Sequence, residues 1–200
     1  MSVLKMSIVT KSLVLILIGQ LLPAAVLAGG PDTTGTDSEQ ELAAATLLPF
    51  KQKLKKTLVT EISSGGPLAA LNACNLEASD IAVAASTQSV RVGRTSHKLR
   101  NPANAPADWM QPLLAKWQAN PAEAAPVLLD VNGVTAYAEP ILTGELCLVC
   151  HGSAEQIPEA VQARLDVLYP DDAATGFSAG ELRGMFWAEF TPAVTEAAAQ

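Results

Sequence analysis

Leu42, Leu47, Leu48, Leu54, Leu58 and Ile62 recur at roughly helical spacing behind Ser38-Glu39-Gln40-Glu41, a string with the form of a capping box. The pattern predicts a long first helix ending at Ser63 to Gly66, where Gly65 and Gly66 tolerate positive φ. Pro67 suits the first position of a second helix, whose apolar stripe Leu71, Cys74, Ala78, Ile81 and Ala85 directs Cys74 inward.

From Val90 to Leu99 the period changes to two, with Val92, Arg94, Ser96 and Lys98 on one face and Gly93, Thr95, His97 and Leu99 on the other. Asn101 to Pro106 reads as a loop, and Asp108 as the cap of a short helix over Trp109 to Ala119. Val127 to Val131 and Val134 to Leu142 form two strands around Asn132-Gly133, a strong hairpin signal. A helix over Pro158 to Leu168 and a last strand over Gly180 to Phe190 complete the set. Two N-terminal helices, an antiparallel sheet of four to five strands and short flanking helices make an α+β domain.

The ends of the chain follow other rules. Lys5 and Lys11, the apolar run Ser12 to Leu22 and the small residues at Val26-Leu27-Ala28 have the three-part form of a secretory signal peptide over 1–28. A flexible lead over 29–37, one domain over 38–192 and a loose alanine-rich tail over 193–200 account for the remainder. Loss of Lys5 and Lys11 with the leader takes the formal net charge from −7 to −9. An acidic, exported, soluble domain is a poor ligand for nucleic acid or anionic membranes, and no later segment is long enough for stable membrane insertion.

Three cysteines in an exported chain cannot all pair in disulfides. Cys147-Leu148-Val149-Cys150-His151 explains two of them as an attachment site for a single c-type haem. The two thiols bond the porphyrin vinyl groups and the adjacent imidazole is the proximal iron ligand. Export fits, because haem is attached in this way outside the cytoplasm. A zinc site built from Cys74, Cys147 and Cys150 with His97 or His151 is the rival reading. Cys74, His97, a methionine or nothing could occupy the sixth iron position. Met110 and Met185 have the surroundings of core residues.

Leu71-Asn72-Ala73-Cys74, Val92-Gly93-Arg94-Thr95-Ser96, Lys98-Leu99-Arg100-Asn101-Pro102-Ala103-Asn104-Ala105-Pro106 and Cys147 to Gly152 together resemble a family of exported c-type haem proteins with a PAS-like sensor fold, formerly a domain of unknown function. The resemblance spans about Leu68 to Phe190. It implies a haem seated against the sheet, Cys74 as the second axial ligand beside His151, and Arg94 as the partner of a haem propionate. Lys98 and Arg100 are equally well read as a solvated cationic face.

The expectation is a periplasmic monohaem c-type cytochrome acting as a redox or small-ligand sensor through a signalling or redox protein partner. A soluble low-potential electron carrier is the alternative, since a thiolate ligand favours ferric iron. No nucleophile–base pair and no phosphate-binding loop stands in the sequence, so the chain reads as a non-enzyme.

Overall fold

The computed structural model describes residues 36–191. The leader at 1–28, all of the lead except Thr36 and Asp37, and the tail at 193–200 lie outside the described residues. Helix α1 spans Asp37–Ala85 and breaks at Gly66, where φ 72° and ψ −168° define a backbone conformation essentially restricted to glycine. The two expected helices are therefore its two halves, with Pro67 opening the second. The capping box lies two residues before the expected one. Thr36 is the cap, Glu39 reaches back to the Thr36 N–H at 2.7 Å, and Ser38 falls inside the first turn.

Four strands follow the expected order, β1 (Val90–Thr95), β2 (Val127–Val131), β3 (Val134–Leu142) and β4 (Leu182–Phe190). They form one antiparallel sheet in the order β1-β4-β3-β2. The β2–β3 turn has Asn132 at φ 54° and Gly133 at φ 84°, the two positive angles that a twisted two-residue hairpin demands. Strand β1 stops at Thr95, four residues short of the expected Leu99. Ser96 donates its hydroxyl to the Arg183 carbonyl at 2.6 Å and accepts the Lys98 N–H at 3.1 Å, which turns the chain off the sheet.

The sheet is covered on both faces. Ala43, Leu47, Phe50 and Ile81 of α1 pack against Val92, Leu128, Tyr137 and Ala188. Helix α2 (Met110–Ala119) packs Met110, Leu113, Leu114 and Trp117 on Leu129, Ala138, Leu182 and Met185 of the opposite face. Trp109 rather than Asp108 precedes this helix and gives it no side-chain cap. Lys51 pairs with Glu139, which also accepts the Tyr137 hydroxyl at 2.9 Å, so α1 is tied to β3 by charge as well as by burial. Burial and the Glu139 carboxylate push the Tyr137 phenol well above its usual pKa.

A third cluster lies off the sheet. Leu71 from the second half of α1 meets Ile157 and, from helix α4 (Glu159–Leu168), Val161 and Leu165, with Cys150 packed against them. Arg164 donates to Asn72 Oδ1 at 2.9 Å and fixes the same contact. Among the described residues no helix is long and apolar enough to cross a membrane.

Because Gly66 lets the two halves of α1 reach different partners, Gly66→Ala should destabilise the fold by about 1–3 kcal/mol through backbone strain alone. The space for a methyl group is open, with no atom within 4 Å. A urea midpoint lowered at unchanged m-value is the expected result.

Candidate functional site

The CxxCH string forms a tight helical turn. A 3-10 turn over Glu145–Cys147 runs into helix α3 (Leu148–His151), with Leu148 buried beneath and Cys147, Cys150 and His151 each half-buried. All three cysteines are free thiols. The segment after α4 folds back over this turn. The Phe177 N–H bonds the His151 carbonyl at 2.9 Å and the Gly176 N–H bonds the Gly152 carbonyl at 2.7 Å.

Ala174 fixes the imidazole. Its carbonyl lies 2.6 Å from His151 Nδ1 and can only accept, so Nδ1 carries the proton and the lone pair sits on Nε2. The Phe177 ring stands edge-on to the imidazole at 6.3 Å. Burial, reinforced by Arg183 and Arg100, pushes the His151 pKa down to about 2, so the ring is neutral at ordinary pH.

Cys74 reaches this turn from α1. It is half-buried and within electrostatic range of Arg94, Arg100 and Cys150. Burial raises its thiol pKa, and Arg94 and Arg100 oppose the rise. The structure thus brings together the five residues singled out in the sequence, namely Cys74, Arg94, Cys147, Cys150 and His151. His97 also stands edge-on to Phe177, at 5.7 Å, with Nδ1 buried and unpartnered. Met110 and Met185 are packed in the α2 cluster, as expected of core residues. Trp117 is buried there too, with Trp109 and Trp187 packed against its rim.

Five features of the site were not legible in the sequence. Arg183 on β4 stacks on Phe177 at 5.2 Å and donates to Ser96 Oγ at 2.9 Å, while its Nε is buried without a partner. Burial, then Arg100 and Arg94, push its pKa down to about 10. Lys98 is not a free solvated cation, because it donates to the Thr175 carbonyl at 3.1 Å and lies over Phe177 at 4.7 Å. Arg100 is paired with Asp172 at 3.0 Å. Phe177 and the Ala174 carbonyl carry no sequence signal, since the first resembles any core aromatic and the second is backbone.

These residues suit a covalently held haem. A neutral imidazole leaves Nε2 unprotonated on the turn that carries two thiols, and the third thiol, Cys74, lies within electrostatic range of Cys150. Arg94 and Arg183 face the same region, and neither forms an ion pair among the described residues. Half-buried guanidinium groups without counter-charge are the complement of two carboxylates, which a porphyrin supplies as propionates. Among the described residues no three His, Cys, Asp or Glu side chains form a ready-made metal-binding group.

Fold and site define an α+β domain with a PAS-like antiparallel sheet and a CxxCH turn lodged beside it. The chain belongs to the Tll0287-like family, whose model matches residues 34–190. Its fold is similar to the crystal structure of the cyanobacterial heme-protein Tll0287, with a TM-score of 0.57 and 23% identity over 79% of this chain and 98% of that one. None of the curated proteins compared matches the chain. The family to which the four residue strings pointed is therefore the one the chain belongs to.

The neutral state of His151 makes the chain sensitive to acid when no haem is attached. An unfolded imidazole takes a proton at its ordinary pKa of 6.5 whereas the folded one resists to about 2. Stability is therefore complete above the first value and falls as pH drops below it, by about 2 kcal/mol at pH 5 from this group. Urea unfolding of haem-free protein at about pH 8 and about pH 5 should show the loss, and His151→Gln should shrink it.

Proposed function

We propose that the chain is an exported monohaem c-type protein. Cys147 and Cys150 anchor the porphyrin, His151 Nε2 and Cys74 Sγ bind the iron, and Arg94 with Arg183 answers the propionates. The observation that carries this reading is the His151 imidazole, oriented by Ala174 and kept unprotonated, beside three guanidinium groups of which Arg100 is paired with a carboxylate. The similarity to a cyanobacterial heme-protein supports it. A haem would supply a one-electron iron centre open to change of oxidation state and ligand.

The chain's own residues set how such a centre behaves. Phe177 and the segment over 172–177 shield the His151 side, and a thiolate from Cys74 would hold the potential low by favouring ferric iron. A half-buried thiol whose pKa is raised by its surroundings is also a ligand that can be lost, which favours a redox or small-ligand sensor over an enzyme. The acidic composition and the leader-like sequence over 1–28 support periplasmic export and a protein partner for the signal. The low-potential electron carrier differs from this reading only in whether Cys74 stays bound.

Full-length protein made in a host that attaches c-type haem should gain the mass of one haem and a c-type pyridine haemochrome spectrum, with a mature N-terminus at Gly29. Cys147→Ala should lose one thioether bond. Cys74→Ala should keep the covalent haem but change the visible and spin-resonance spectra of the oxidised protein. Absence of covalent haem from the wild type would sink the proposal, and unchanged spectra in Cys74→Ala would remove Cys74 as ligand. Carbon monoxide or nitric oxide binding with loss of the thiolate signature supports sensing, and reversible cycling without ligand uptake supports transfer.

A further inference from the structure

Arg100 and Asp172 form a nearly dry ion pair, with only 11% and 9% of their side chains exposed. Such a pair gains little net stability over apolar packing, so what it holds in place matters more than its own strength. Here the side-chain hydrogen bonds of the pair lead toward His151, while the guanidinium lies over the Tyr169 ring at 5.9 Å. Asp172 Oδ2 accepts Arg100 Nε at 3.0 Å, and Oδ1 accepts the Ala174 N–H at 2.8 Å. Arg100 Nη2 donates to the carbonyls of Cys150 at 2.5 Å and of Ala174 at 3.3 Å. The Ala173 N–H bonds the Leu99 carbonyl at 2.9 Å, so the chain beside Arg100 holds the same loop. The peptide carrying the Ala174 carbonyl is thus pinned near both ends, and that carbonyl fixes His151 Nδ1.

We infer that Arg100 and Asp172 are positioning residues that commit His151 to the Nδ1–H tautomer and so make Nε2 the ligating nitrogen. The inference rests on the haem-binding reading for the use of that nitrogen. The structural part stands on the hydrogen bonds alone. A guanidinium is required because one planar fork serves a carboxylate and two carbonyls together, which an ammonium group cannot do. Nor is Arg100 free to meet a propionate, which leaves that role to Arg94 and Arg183.

Arg100→Lys keeps the charge and loses the fork, while Asp172→Asn keeps the shape and loses the pair. In haem-free full-length protein, imidazole nitrogen shifts read by NMR give the tautomer directly. Both variants should show a roughly tenfold fall in the ratio of Nδ1–H to Nε2–H forms, as expected when one hydrogen bond's net contribution is lost. In the haem-loaded variants the g-values of the oxidised iron should shift at unchanged haem content. Should Arg100→Lys fail to fold, Asp172→Asn is read alone. Retention of a single Nδ1–H tautomer and wild-type g-values overturns the inference. A wild-type chain that never acquires haem instead overturns the haem-binding reading, and with it the ligating role given to Nε2, whatever the tautomer ratios show.

Discussion

An electrostatic imbalance governs the site. Arg94, Arg100 and Arg183 act on one another and on His151 from half-buried positions, and Asp172 is the carboxylate that pairs with one of them. Desolvated like charges repel, and two of the three find partial relief elsewhere. Arg183 bonds Ser96 and lies on Phe177, while Arg100 takes Asp172 and two carbonyls. The remaining positive field has two effects. It favours an anionic occupant, and it adds to burial, the larger cause, in keeping the proton off His151.

The fold assembles that field from distant segments. Strands β1 and β4 are paired, with Arg94 opposite Phe186 and Thr95 opposite Met185, so Arg94 and Arg183 come from neighbouring strands. The break at Gly66 frees the second half of α1 to leave the sheet and dock Leu71 and Asn72 on α4, which carries Cys74 to the CxxCH turn. Ile81, farther along the same half, returns to the sheet beside Phe50. One glycine thus lets a single helical segment serve both the sheet core and the site.

Local chemistry was legible in the sequence, and long-range chemistry was not. Asn132-Gly133, Gly66-Pro67 and the CxxCH string announce themselves because the geometry they impose lies within a few residues. Period two continued on paper through Leu99, yet the strand ends at Thr95 because Ser96 bonds across to Arg183, 87 positions away in the chain. Lys98 and Arg100 resembled solvated cations for the same reason, since their partners at Thr175 and Asp172 come from a loop with no pattern of its own. The carbonyl of Ala174 could not be foreseen at all, because a backbone acceptor is common to every residue.

The same geometry bears on which side chain would face His151 across an iron. His97 shares Phe177 with His151, and its charged neighbours are Lys98, Arg183 and Glu181. The neighbours of Cys74 are Arg94, Arg100 and Glu77, with Cys150 beyond them. The two candidates therefore occupy different surroundings, and a phenyl ring stands against both imidazoles. Cys74 is carried on a separate helix among Arg94 and Arg100, whose cations favour a thiolate there, whereas Lys98 and Arg183 disfavour a charged His97, whose Nδ1 is buried without a partner.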